Sequence, residues 1–117
     1  MARPVRRIDE IVVDCRDPML LASFWAAVLG VAPTVREPAW VTVRDPEQGL
    51  VLAFQAVPEA KAGKNRLHVD VRVEDLEDAR TACVALGATA QGPVVHDADG
   101  SFQVMLDPEG HEFCLVV

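Results

Sequence analysis

Two stretches of the chain set ionisable side chains on alternate positions of an extended strand. In Ile8–Asp17, Glu10, Val12 and Asp14 fall on one face and Ile11, Val13 and Cys15 on the other. In Arg66–Asp75, His68, Asp70 and Arg72 alternate with Leu67, Val69, Val71 and Val73. Near the end, Glu112 and Cys114 alternate with Phe113, Leu115 and Val117. An imidazole, a thiol, a guanidinium and several carboxylates can move protons, hold a cation or orient a small polar ligand. The apolar faces must pack under something, which leaves the polar faces either to water or to a lined cavity. Trp40, in a short strand near a loop, could form part of such a cavity, whereas Trp25 reads as helix core. His96 and His111 fall in loop and turn contexts and read as exposed.

The elements that must position these residues come in duplicate. Ile8–Asp17 and Arg66–Asp75 are both alternating strands that run into an Asp. Each Asp opens a helical stretch that stops at Leu-Gly, first Leu29-Gly30 and then Leu86-Gly87. Asp17 can cap its helix with Pro18 at the first position, where a missing N–H costs nothing. Leu20, Leu21, Phe24, Trp25 and Val28 then recur at helical spacing, as do Leu76, Ala79, Cys83 and Leu86 behind Asp75. Further on, Val41-Thr-Val-Arg-Asp-Pro-Glu47 matches Gln103-Val-Met-Leu-Asp-Pro-Glu109, and another apolar strand follows each. The order β-α-β-β-β thus occurs twice.

Composition bounds what this repeat can serve. A chain of 117 residues suits one domain, with modules at about 6–58 and about 66–117. The formal charge of −7 argues against nucleic acid, since the only basic cluster is Arg3, Arg6 and Arg7. No apolar run approaches the roughly 20 residues of a membrane span, and no signal-peptide pattern opens the sequence. Cys15, Cys83 and Cys114 form no paired motif, as expected of reduced thiols in a cytoplasmic protein.

The two strand-to-Asp units, the two Leu-Gly stops, Phe24-Trp25 before the first of them, and the terminal Asp107-Pro-Glu-Gly-His-Glu-Phe-Cys114 together resemble the vicinal-oxygen-chelate superfamily. The likeness is to its small glyoxalase-like bacterial members, which include glyoxalases, bleomycin-resistance proteins and dioxygenases. It runs from Ile8 to Val117 and implies an α+β fold. In that fold two tandem βαβββ modules build a curved, mostly antiparallel, eight-stranded, open barrel-like sheet with helices outside. Such proteins often hold one divalent metal with side chains from the first and last strands of each module.

The resemblance maps these ligands onto Glu10 and His68, each seven residues before its capping Asp, onto Gln55, and onto Glu112 or Cys114. One imidazole, one carboxylate and a neutral amide form a weak set for Fe, Ni or Zn, which a thiolate at Cys114 would strengthen. No cofactor is therefore required, and a divalent metal remains a candidate. The implied function is binding of a small molecule, by a lyase, isomerase or dioxygenase acting on an oxygenated substrate. In that case Glu10 or Glu112 is the base and His68 a ligand or acid. The alternative is a non-catalytic, drug-sequestering protein of the bleomycin-resistance type. On either reading Glu10, Trp40, Gln55, His68, Asp70, Arg72, Glu112 and Cys114 line the ligand site. Exposed sheet edges predict a homodimer, for which light scattering should return twice 12.7 kDa.

Overall fold

The structure, a computed structural model, describes residues 7–117, so Arg3 and Arg6 of the basic cluster lie outside the described residues. The chain divides into two compact units, the first ending at Pro58 and the second spanning Glu59–Val117. Each has the expected β-α-β-β-β order. The eight strands form two mixed four-stranded sheets, and no closed barrel is present among the described residues. No helix among those residues is long and apolar enough to cross a membrane.

In the first unit β1 (Ile11–Cys15), β2 (Thr34–Glu37), β3 (Trp40–Arg44) and β4 (Val51–Ala56) lie in the order β1-β4-β3-β2. The β1–β4 pair is parallel, since the chain must cross over through a helix before β4 reaches β1, and the other pairs are antiparallel. That helix, α1 (Pro18–Leu29), starts where the Asp17 carboxylate accepts the Leu20 N–H at 3.1 Å. It ends at Gly30, whose φ of 71° lies in the left-handed region where a Cβ would be strained. Leu21, Phe24 and Trp25 are buried as the spacing predicts. Leu20 is not: it is half exposed, and Ala22 and Ala26 occupy the buried arc instead. The helix is apolar almost all round, so its large residues alone do not mark the face that packs on β3 and β4.

The second unit repeats the plan with β5 (Asp70–Arg72), β6 (Thr89–Asp97), β7 (Gly100–Leu106) and β8 (Glu112–Val116) in the order β5-β8-β7-β6. Its helix α2 (Leu76–Ala85) begins at Asp75, whose carboxylate accepts the Asp78 N–H at 2.9 Å. Cys83 is its buried residue, whereas Leu86 is exposed. The helix stops one residue short of the end of the predicted stripe: Leu86 is the C-cap, and Gly87, at φ 114°, turns the chain so that Ala88 faces inward. β5 is likewise shorter than the alternation suggests. Leu67 precedes the paired residues and is exposed, while Val69, Val71 and Val73 are half-buried.

Phe113, Leu115, Met105 and Gln103 form the buried layer of this sheet on the side of α2. Gln103 is a buried amide with a full set of partners. Its Oε1 accepts from Arg80 of α2 at 3.3 Å, and its Nε2 donates to the Gly92 carbonyl at 2.9 Å, inside the bulge of β6. The amide thereby ties the helix to an irregular strand and leaves no buried polar atom unpaired there.

Candidate functional site

Strand register decides which side chains meet on the faces turned away from the helices. In the second unit β5 runs parallel to β8 with Asp70 beside Cys114 and Arg72 beside Val116. β8 in turn sets Cys114 beside Val104, Val116 beside Phe102 and Glu112 beside Leu106. Side chains alternate along a strand, so all of these share the face opposite Phe113 and Leu115. They line a cleft of about 1020 Å³ that His68, Lys61 and Lys64 also border. Five of the residues singled out from sequence, His68, Asp70, Arg72, Glu112 and Cys114, therefore gather in one cleft of one unit.

Within it, His68 Nε2 lies 3.3 Å from Asp70 Oδ1, with both side chains about half exposed. The donor atoms of His68, Asp70 and Cys114 all lie within 4.8 Å of one another. Burial raises the Cys114 thiol above its ordinary pKa, the Asp70 carboxylate adds to the effect, and the Lys64 ammonium opposes it. Cys83, on α2, is also raised by burial, and all three cysteines are free thiols. Around a zinc-type ion the bonds are roughly 2.0–2.3 Å long and ligands stand about 3.5 Å apart. The three donors must thus close by about 1 Å, which the half-exposed His68 and Asp70 side chains allow. An imidazole, a carboxylate and a thiol, with one position left to the cleft, fit a divalent metal.

Glu112 is held differently. Its Oε1 is 3.0 Å from the Lys61 ammonium, and its Oε2 accepts the Asn65 N–H at 3.1 Å. The Asn65 amide returns a bond to the Glu112 carbonyl at 3.3 Å, and Lys61 also donates to the Gly63 carbonyl. Burial alone would push this carboxyl up, but Lys61 and the Asn65 N–H outweigh it and the pKa falls below 4.5. Glu112 thus fastens residues 61–65 along the cleft. Lys61 and Asn65 carry no periodic signal in a loop sequence, and for that reason sequence reasoning missed them.

A consequence concerns acid. A carboxyl with a lowered folded pKa contributes stability that is present above its unfolded value and is lost as pH falls through the folded value. Protection of the Asn65 amide from hydrogen exchange should therefore drop on acidification below about 4.5, the ordinary value. In Glu112→Gln, which keeps an acceptor oxygen but loses the charge that pairs with Lys61, it should be lower than in wild type at neutral pH and should not change on acidification. Protection that is independent of pH and of this substitution would mean that the loop is held by something else.

The first unit carries the remaining predicted residues. Glu10 borders a smaller cleft of about 560 Å³ and pairs with Arg36 at 3.4 Å, a largely exposed contact of modest value. Gln55 donates to Asp14 at 3.0 Å and lies beside Trp40 across β4 and β3. The Arg36 guanidinium stands 5.6 Å from the centre of the Trp40 ring, and the indole Nε1 is buried with no acceptor among the described residues. Register shows that Gln55 is not the counterpart of Cys114. Val12 pairs with Ala53 as Asp70 pairs with Cys114, so Ala53 occupies the equivalent place and Gln55 matches Val116. His111, expected to be exposed, is half-buried, with Nδ1 2.9 Å from the buried Asp107 carboxylate.

Comparison with known proteins gives a consistent result. The family model described as a glyoxalase-like domain matches residues 10–116. None of the curated proteins matches the chain significantly. Among solved structures, it is similar to a glyoxalase/bleomycin resistance protein/dioxygenase family enzyme from Burkholderia phytofirmans PsJN, at 18% identity and a TM-score of 0.77, covering 92% of this chain and 94% of that one. It is also similar to a glyoxalase-related enzyme from Fulvimarina pelagi, at 20% identity and a TM-score of 0.75, over 96% of this chain and 88% of that one. A third likeness is to a mutant of the fosfomycin resistance protein of Listeria monocytogenes, complexed with Mn(II) and 1S,2S-dihydroxypropylphosphonic acid. It is 13% identical with a TM-score of 0.77, over 96% of this chain and 90% of that one. At these identities the solved structures speak for the fold.

Proposed function

Because the chain belongs to the glyoxalase-like family of the vicinal-oxygen-chelate superfamily, we propose that the cleft of its second unit binds a small oxygenated molecule. The observation that carries this reading is the lining itself. Phe102, Val104, Leu106 and Val116 supply an apolar floor, and His68, Asp70 and Arg72 stand along the same face as a polar edge. Apolar walls with a few convergent polar groups are what a small-molecule site requires. Arg72 has no ion-pair partner among the described residues and suits a carboxylate or other oxyanion of the ligand. Glu112, held by Lys61 and Asn65, positions the loop that borders the cleft.

A second reading, an enzyme that stabilises an enolate or oxyanion, draws on His68, Asp70 and Cys114. A divalent metal held there would supply Lewis-acid polarisation of a substrate oxygen. In that reading the three side chains would hold the ion, the second carboxylate oxygen of Asp70 would take a proton from the bound ligand, and the apolar floor excludes water.

A thermal-shift screen of small hydroxy acids, keto acids and phosphonates tests binding. At least one class should stabilise the protein, and Arg72→Ala should weaken that ligand about tenfold, the loss of a charged hydrogen bond. Identical shifts for wild type and Arg72→Ala, or none across the panel, would overturn the proposal. Turnover of the ligand that binds, absent in His68→Ala, would favour the enzymatic reading.

A further inference from the structure

We propose that the cleft of the first unit is an oxyanion site, in which Arg36 and Arg44 grip a tetrahedral group such as a phosphate ester above the paired hydroxyls of Thr34 and Thr42. The inference concerns the other unit from the proposed small-molecule cleft and does not rest on that reading. Strand register builds the site. Thr34 of β2 stands beside Thr42 of β3 in an antiparallel pair, and Arg44 follows two residues on, on the same face as Thr42. Arg36 sits in the bulge between Val35 and Glu37, a place where a strand re-aims a side chain. Its guanidinium reaches Glu10, just ahead of β1 at the far edge of the sheet, so it lies across the face that the threonines occupy. All four side chains border the same cleft.

The polar lining is not a by-product of the repeat. Thr42 pairs with Ala53 as Val104 pairs with Cys114, and Arg44 pairs with Val51 as Leu106 pairs with Glu112. Where the second unit has an apolar floor, the first therefore has a hydroxyl and a guanidinium.

Donor chemistry names the ligand class. Arg44 Nη1 donates to the Gly49 carbonyl at 3.0 Å, which orients its fork, and the guanidinium carries further N–H donors. Arg36 uses one nitrogen for both Glu10 oxygens, each at 3.4 Å, long for a charge-assisted bond and more than half exposed on the arginine side. Glu10 is thus a carboxylate of the chain itself held weakly where an oxyanion belongs. Asp9, also at the rim, is exposed and screened by water. Two forks and two hydroxyls match the several acceptor oxygens of a tetrahedral anion.

The probe is inorganic phosphate added to the full chain at fixed pH and ionic strength, followed by proton–nitrogen correlation spectra. Trp40 lies against Arg36, whereas Trp25 is buried in α1. The Trp40 indole and Thr42 amide resonances should shift saturably, with a dissociation constant on the order of 1 mM, and the Trp25 indole should not. Arg36→Ala and Arg44→Ala, both at exposed positions, should each weaken binding about tenfold, the loss of a charged hydrogen bond. Glu10→Gln, which withdraws the competing carboxylate, should instead tighten it several-fold. If Arg44→Ala disturbs the turn at Asp45, Arg36→Ala and Glu10→Gln still decide the question. No saturable shift, the same shifts from chloride at equal ionic strength, undiminished binding in Arg36→Ala, or weaker binding in Glu10→Gln would each overturn the proposal. Phosphate binding lost in Arg72→Ala and kept in Arg36→Ala would place the anion in the second unit, overturning this site while leaving the small-molecule reading intact.

Discussion

Replacing Phe24 with Ala is expected to cost about 3–5 kcal/mol, the usual range for emptying a buried aromatic site. Phe24 is 4% exposed on the face of α1 that packs on β3 and β4. Its ring meets Trp25 edge to face, with centroids 5.4 Å apart and planes at 89°. The substitution thus removes both the burial and an aromatic contact, the latter adding roughly 0.5–1.5 kcal/mol. Leu21, at 0% exposure, and Val41 and Val43, at 1% each, are fixed by the sheet and cannot collapse into the space. Leu20→Ala supplies the contrast: that residue is half exposed and its loss should cost under about 1 kcal/mol. Both tryptophans, Trp25 and Trp40, lie in the first unit, so intrinsic fluorescence reports on its unfolding. A urea midpoint by fluorescence that does not move in Phe24→Ala would show that α1 does not pack on its sheet through this ring.

The contrast between Phe24 and Leu20 also indicates what a sequence can and cannot disclose. Features set by neighbours along the chain were legible. Asp17 and Asp75 cap their helices through the N–H three residues on, Gly30 ends the first in the left-handed region, and Asp45 and Asp107 organise the two turns. The family resemblance, assembled from those local signals, agrees with the family match over residues 10–116. Features set by long-range pairing were not legible. Alternation places Gln55 and Cys114 on strand faces, but only the pairing of β1 with β4 and of β5 with β8 shows that Ala53 is the counterpart of Cys114. Engagement of Glu112 by Lys61 and Asn65 joins residues 47 or more positions apart through a loop with no period. The buried alanines of α1 carry little hydrophobic weight in a pattern, although they define its packing face.

The last expectation concerns the two matched turns, which share a sequence but not an environment. Asp107→Ala should destabilise the second unit by about 3 kcal/mol, whereas Asp45→Ala should cost about 1 kcal/mol or less. Asp45 Oδ1 and Oδ2 accept the N–H groups of Glu47 and Gln48, each at 3.2 Å, in a solvated turn where water can replace the bond. Asp107 is 4% exposed, and its Oδ1 accepts from the Glu109 N–H at 2.9 Å and the His111 N–H at 3.0 Å. The His111 ring joins the same carboxylate at 2.9 Å from Oδ1 and 3.0 Å from Oδ2. Removing the carboxylate therefore strands several donors where water reaches them poorly, and each unsatisfied donor costs roughly 1–3 kcal/mol before relaxation. Stakes for the site are direct, because this turn delivers β8 and with it Cys114 into register beside Asp70. Urea melts followed by far-ultraviolet circular dichroism would measure both variants. Equal, small costs for Asp107→Ala and Asp45→Ala would mean that the burial and the His111 contact contribute nothing to the turn. A large cost confined to Asp107→Ala would locate that contribution in the turn leading into the candidate site.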